Sequence, residues 1–153
     1  VWAVGVEGLD GIAESWPWAE EWNGTKWTSW VLPGGARTAE LLAVTTLDNG
    51  NAWAVGDTQP GRFGQTVPLA DKWNGTRWIS TRPGTLFGTL WSVAAAVNDD
   101  AWALGRHDKG TADIEHWDGR TWSESPVELP RRVFDSVVNS SSTDKRSAEH
   151  VMG

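Results

Sequence analysis

The chain of 153 residues contains no cysteine, no tyrosine and a single methionine. The absence of cysteine excludes a disulfide framework, a thiolate metal site and a cysteine nucleophile. Basic residues are also scarce, because 13 Lys and Arg stand against 20 Asp and Glu and give a formal net charge of −7. A surface that binds nucleic acid needs clustered positive charge, so the sequence predicts no nucleic-acid partner.

Long hydrophobic runs are missing as well. The longest apolar stretches, residues 41–44 and 93–97, are far shorter than the roughly 20 residues with which a helix crosses a bilayer. The sequence therefore predicts no membrane insertion. A chain of this length buries about two-thirds of its unfolded surface in one core, so a single domain over residues 1–153 is expected.

Tryptophan, in contrast, is abundant, with 13 residues that recur in register. A Trp-Ala-Val-Gly or Trp-Ala-Leu-Gly motif begins at Trp2, Trp53 and Trp102. A second motif, Trp-Asn-Gly or Trp-Asp-Gly followed by two residues and another Trp, spans residues 22–27, 73–78 and 117–122. Nine of the 13 tryptophans thus occupy repeat positions, and we expect these nine to lie in the core.

Each repeat contains short runs typical of β-strands, bounded by Gly, Pro, Asn and Asp. In the second repeat these runs are residues 40–47, 52–57, 67–73 and 76–80. Asn-Gly and Asp-Gly pairs reach positive φ at little cost, so the segments after Trp22, Trp73 and Trp117 predict tight hairpin turns. No helical apolar period continues for two turns, and the chain is therefore predicted to be all-β.

Four antiparallel strands repeated about every 50 residues predict the four-stranded blades of a β-propeller, because one small sheet cannot bury both of its faces alone. The expected units are residues 1–31, 39–81 and 88–126, with a partial unit at 132–153. Closed propellers have about 4–8 blades. We therefore expect the chain to be part of a longer propeller; the alternatives are a homodimer that completes a six-bladed ring and a tight three-bladed form.

The two motifs resemble those of the Trp-Ala-Val-Gly repeat propellers of secreted actinobacterial proteins, which are similar to kelch propellers. Trp22, Trp73 and Trp117 stand where kelch repeats have Tyr, but the chain has a single Gly where kelch has two. A second resemblance is to tectonin-type lectin repeats. The resemblance implies a bacterial, extracellular or cell-surface binding protein. It also implies that the loops between second and third strands share one partner-binding face with the connections between blades.

Candidate ligand-binding residues are aromatic and basic side chains outside the structural repeat positions. Trp16 and Trp18 are expected in a long loop over residues 6–19, where they would stack against a sugar or a proline-rich peptide. Arginines in the loops suit an anionic ligand or an acidic peptide. The complete predicted set is Trp16, Trp18, Arg62, Phe63, Trp91, Arg106 and His107.

Signals for catalysis are weak. The three histidines occupy non-equivalent places, and Glu115 and His116, adjacent on a strand, point to opposite faces. No catalytic residue, metal or cofactor is expected. The leading interpretation is a non-catalytic binding or scaffold module that presents blade loops to a protein or peptide. A carbohydrate-binding, lectin-like propeller is the alternative, and an enzyme with carboxylates facing each other across blades is the third hypothesis.

Overall fold

The structure is a computed structural model that describes residues 1–8, 15–33, 38–59 and 64–126. These ranges contain eleven β-strands and no helix, so the prediction of an all-β chain is confirmed. None of their elements is a helix that could cross a membrane. The strands are β1 (Trp2–Gly8), β2 (Ser15–Trp22), β3 (Trp27–Trp30), β4 (Ala39–Thr46), β5 (Ala52–Thr58), β6 (Val67–Trp73), β7 (Trp78–Thr81), β8 (Gly88–Val97), β9 (Asp100–His107), β10 (Ala112–Trp117) and β11 (Trp122–Glu124). The partial unit expected at residues 132–153 lies outside the described residues.

The strands form three antiparallel sheets in chain order. The first sheet is β1-β2-β3, the second is β4-β5-β6-β7, and the third is β8-β9-β10-β11. The predicted hairpin turns are present, and Asn74 shows how they are held: its Oδ1 accepts hydrogen bonds from the backbone N–H groups of Thr76 and Arg77. Gly75 adopts a φ of 93° at this turn, which a glycine reaches without a Cβ penalty.

The sheets stack through the same arrangement of tryptophans at both junctions. Trp53 of the second sheet lies with its ring centroid 5.2 Å from Trp117 and 5.1 Å from Trp122 of the third sheet. At the other junction Trp2 of the first sheet contacts the equivalent pair on β6 and β7, Trp73 and Trp78, at 5.0 and 4.8 Å. Tilted and edge-on aromatic pairs add about 0.5–1.5 kcal/mol each beyond the burial of their area. The repeat therefore encodes the contact between neighbouring sheets.

Not all nine repeat tryptophans are buried, so the expectation that all nine lie in the core is wrong at the two ends of the stack. Trp102, in the third sheet, is 41% exposed, and Trp27, in the first sheet, is 47% exposed. Trp22 is half-buried. These side chains lie on faces that no further sheet covers within the described residues.

The prediction of a loop over residues 6–19 is also wrong. Strand β1 extends to Gly8 and β2 begins at Ser15, so Trp16 and Trp18 are strand residues that pair with Glu7 and Gly5. Proline is ordinarily excluded from central strands because it cannot donate to the ladder. Here Pro17 pairs with β1 alone, since the pairing of β2 with β3 begins at Ala19.

Candidate ligand-binding cleft

A cleft opens at one end of the third sheet, where the connection between β7 and β8, the turn between β9 and β10 and the end of β11 meet. We call it the terminal cleft. Its volume is about 420 Å³, and it is lined by Gln65, Gly84, Thr85, Leu86, Phe87, His107, Asp108, Lys109, Thr111 and Glu124. The turn between the second and third strands of one sheet and the connection between two sheets thus line the same cleft.

One wall of the terminal cleft is fixed by Glu115, which is fully buried on β10. Its Oε2 accepts a hydrogen bond of 3.0 Å from the backbone N–H of Gly84, and its Oε1 accepts one from the backbone N–H of Thr85. A Cβ at position 84 would lie 2.9 Å from the same Oε2. The carboxylate and the glycine together hold the connection between β7 and β8 against the third sheet.

The residues that follow this anchor are apolar and exposed. Leu86 is 58% exposed and Phe87 is 41% exposed, both on the wall of the cleft. The chain is held again just beyond them, because the backbone N–H of Gly88 donates to the Thr66 carbonyl at 2.9 Å. Leu86 and Phe87 are therefore presented to solvent from a segment that is hydrogen-bonded on both sides.

Three polar side chains, His107, Asp113 and Glu124, lie together beside this wall. His107 Nε2 is 3.2 Å from Glu124 Oε1. Asp113, buried with 1% of its surface exposed, has no hydrogen-bond partner for either carboxylate oxygen among the residues that the structure describes. Burial raises the pKa of the Asp113 carboxyl above its usual range, although the Thr85 hydroxyl lowers this pKa in part. The ligand atoms of His107, Asp113 and Glu124 all lie within 4.8 Å of one another.

A second cleft of about 440 Å³ is more polar and touches all three sheets; it is lined by Ser15, Thr38, Glu40, Asp57, Gln59, Thr66 and Thr89. Its two carboxyl groups, Glu40 and Asp57, are cross-strand partners within the second sheet. Burial raises the pKa of Glu40, and the nearby charge of Asp57 raises it further. Burial likewise raises the pKa of Asp57; the Thr89 hydroxyl opposes this rise, and the charge of Asp108 adds to it.

The predicted ligand-binding residues fall into separate places. His107 lines the terminal cleft. Arg106 points to the opposite face of β9, where its guanidinium carbon lies 5.9 Å from the ring centroid of Trp91. Trp16 and Trp18 belong to the first sheet. Arg62 and Phe63 lie outside the described residues.

Sequence reasoning missed Leu86, Phe87, Asp113 and Glu124. Two signals could have indicated the carboxylates. Alternation along β10 places Asp113 on the same face as Trp117. The register of the Trp117–Trp122 hairpin then brings Glu124 opposite Glu115. The apolar wall has no such signal, because its position depends on the buried Glu115 carboxylate.

Comparison of the chain with models of protein families, with curated proteins and with solved structures gave no match. The resemblance to Trp-Ala-Val-Gly repeat propellers therefore stays a prediction.

Proposed function

We propose that the chain is a non-catalytic binding module, built as a segment of a β-propeller, that binds a peptide or an extended protein segment in the terminal cleft. The observation that carries this proposal is the pair of exposed apolar side chains, Leu86 and Phe87, held on the cleft wall. Exposed apolar side chains surrounded by polar groups are typical of interaction surfaces. An aliphatic or aromatic side chain of the partner would pack against this pair.

The wall is ordered before a partner arrives. Glu115 holds Gly84 and Thr85 through backbone hydrogen bonds, and Gly88 is bonded to Thr66. A partner therefore loses little affinity to the ordering of this segment, because the cost of fixing a loop has been met by folding.

The remaining lining is polar and carries both signs of charge. Lys109 lies on the turn between β9 and β10, together with Asp108, and Glu124 lies across the cleft beside His107. Charges at the edge of an interface contribute orientation and selectivity more than affinity. The preferred ligand is thus a segment with one apolar side chain flanked by polar or charged residues.

Propeller construction is supported by the equivalence of the two junctions between sheets. Trp53 packs on Trp117 and Trp122 as Trp2 packs on Trp73 and Trp78. Repeated packing of one sheet on the next is the basis of propeller blades. On such a fold the connections at one end of the blades are the natural place for a partner.

Peptide selection followed by calorimetry tests the proposed function. Peptides are selected on the immobilised chain from a random phage library, and the best peptide is titrated against the wild type, Phe87→Ser and Val31→Ser. Val31 is the matched control, because it is an apolar side chain 92% exposed between β3 and β4, away from the cleft. We expect Phe87→Ser to weaken binding at least about tenfold, as loss of a central aromatic contact does, and Val31→Ser to leave it unchanged.

Equal affinity of the wild type and Phe87→Ser would contradict the proposal, as would failure to select any peptide. A glycan array on the same proteins separates the lectin alternative. Glycan binding that disappears in Trp16→Ala or Trp18→Ala, with folding retained, would favour that alternative instead.

A further inference from the structure

Three side chains with metal-binding atoms converge at the terminal cleft, one from each of three adjacent strands. His107 is the last residue of β9, Asp113 is the second residue of β10, and Glu124 is the last residue of β11. Their ligand atoms lie within 4.8 Å of one another. His107 and Glu124 also line the cleft, so a bound ion would remain accessible from solvent.

The environment of the Asp113 carboxyl group points to a ligand. Its carboxyl group is buried, and neither oxygen finds a hydrogen-bond partner in the described ranges. A buried carboxylate is costly unless it is hydrogen-bonded, paired with a positive charge or coordinated to a metal. Glu115, by comparison, is also buried on the same strand, but both of its oxygens accept backbone N–H groups. Glu115 is therefore a structural carboxylate, whereas no comparable backbone hydrogen bonds hold the Asp113 carboxylate among the described residues.

The donor set, and the distance between two of its three ligand atoms, suit a divalent transition metal. Zn²⁺ binds imidazole nitrogen and carboxylate oxygen at about 2.0–2.2 Å, so two ligands on a tetrahedral ion lie about 3.4 Å apart. His107 Nε2 and Glu124 Oε1 are 3.2 Å apart. Two carboxylates and a neutral imidazole also balance the charge of a dication. A histidine ligand favours zinc-like metals over Ca²⁺ or Mg²⁺, which prefer oxygen.

We propose that His107, Asp113 and Glu124 bind one divalent transition-metal ion of the zinc class, with further coordination positions open toward the terminal cleft. This site is independent of the proposed peptide binding, because it is defined by three side chains that need no partner. It differs from the expectation of no metal, because the sequence does not show that His107, Asp113 and Glu124 lie close together.

Titration with ZnCl₂ alone tests the site. The chain is treated with a chelator, dialysed and titrated calorimetrically, and the variants are His107→Gln, Glu124→Gln and His116→Gln. His116 is a matched control: its Nε2 lies 3.0 Å from the exposed carboxylate of Asp100, with no third ligand grouped with it among the residues described. We expect one Zn²⁺ per chain for the wild type and His116→Gln, and at least about a tenfold loss of affinity in the other two, since even outer-shell changes cost 10–100-fold.

Co²⁺ provides a second measurement, because its visible spectrum reports coordination directly. Intense visible bands in the wild type that are lost in His107→Gln support the site. Absence of one-to-one Zn²⁺ binding would overturn the proposal. So would equal losses in His107→Gln and His116→Gln, which would indicate adventitious binding to surface histidines. Circular dichroism confirms that each variant is folded before titration.

Discussion

Asp71 occupies in the second sheet the repeat position that Glu115 occupies in the third, two residues before the hairpin tryptophan. The two carboxylates differ in their partners. Glu115 accepts two backbone hydrogen bonds, whereas Oδ1 of Asp71 has no partner among the described residues. Burial raises the pKa of Asp71 to about 6, against a hydrogen bond from Ser80. An ionised Asp71 therefore destabilises the fold at neutral pH.

The sign of the pH dependence follows from this shift. The folded state binds a proton at Asp71 below about pH 6, whereas the unfolded chain does so only near its ordinary pKa of 3.8. The contribution of Asp71 to the free energy of unfolding consequently rises as the pH falls from about 6 to about 4. A shift of about two pKa units corresponds to roughly 3 kcal/mol.

Replacement of Asp71 by Asn, which resembles the protonated acid, should remove this dependence. We expect Asp71→Asn to raise the free energy of unfolding at pH 8 by up to about 3 kcal/mol, with a smaller gain at pH 4.5. Urea unfolding followed by tryptophan fluorescence at both pH values measures the difference.

Asp118 supplies a control of opposite sign for this measurement, because the backbone N–H groups of Thr121 and Arg120 lower its pKa. Asp118→Asn restores the residue found in the other two hairpin turns and should not be more stable than the wild type at pH 8. A gain in Asp71→Asn that is the same at pH 8 and pH 4.5 would contradict the account, as would a loss of stability at pH 8.

The glycine of the Trp-Ala-Val-Gly motif lies where two paired strands approach each other unusually closely. A Cβ at position 56 would lie 2.0 Å from the carbonyl oxygen of Glu40 on β4, where that strand has an irregular register between Leu41 and Ala43. Gly105 has the same relation to Thr89 on β8. The repeat glycine is thus required by the neighbouring backbone.

Gly5 occupies the same repeat position but has no such close neighbour, because β1 is an edge strand in the described part of the chain. The nearest atom to a Cβ at position 5 is 4.0 Å away, in the Trp18 ring. We expect Gly56→Ala to lower the free energy of unfolding by about 1–3 kcal/mol or more, as overpacking does. Gly5→Ala should change it by less than about 0.5 kcal/mol.

Urea unfolding at pH 7 measures both glycine variants. Equal effects of the two substitutions would show that the motif glycine is not retained for the close approach of β4. A large loss in Gly5→Ala alone would indicate that the first sheet has a packing partner at that position.

Strands and turns were predictable where local chemistry decides them. The Asn74-Gly75 turn and the strands on either side of it follow from positive φ and from alternation. The strand character of Trp16 and Trp18 was not predictable, because the sequence does not show that Pro17 lies beyond the end of β3. In the terminal cleft, His107 was predicted and Glu124 could have been found from the hairpin register. Leu86 and Phe87 could not be predicted, because their position depends on which strands meet in three dimensions.

The outer faces of the first and third sheets each carry one half of the tryptophan contact that joins neighbouring sheets inside the stack. Trp102 occupies on β9 the position that Trp53 occupies on β5, and Trp102 is 41% exposed. Trp22 and Trp27 hold in the first sheet the places of Trp117 and Trp122, and their rings lie 5.5 Å apart. We expect a second copy of the chain to supply the other half of each junction.

Two copies joined in this way would contain six described sheets, which lies within the size range of closed propellers. The same arrangement of tryptophans joins both pairs of neighbouring sheets among the described residues, and we expect it to join two copies as well. Trp102→Ser removes the residue that would enter the partner's Trp22 and Trp27 pair. Ile79→Ser is the control, because Ile79 is similarly exposed, at 38%, but lies on β7 of the middle sheet.

Native mass spectrometry across the micromolar range measures whether two chains associate. We expect the wild type and Ile79→Ser to have twice the chain mass of 16.7 kDa, and Trp102→Ser to have the mass of one chain. A wild type that remains a single chain throughout this range, or a Trp102→Ser variant that still pairs, would contradict this expectation.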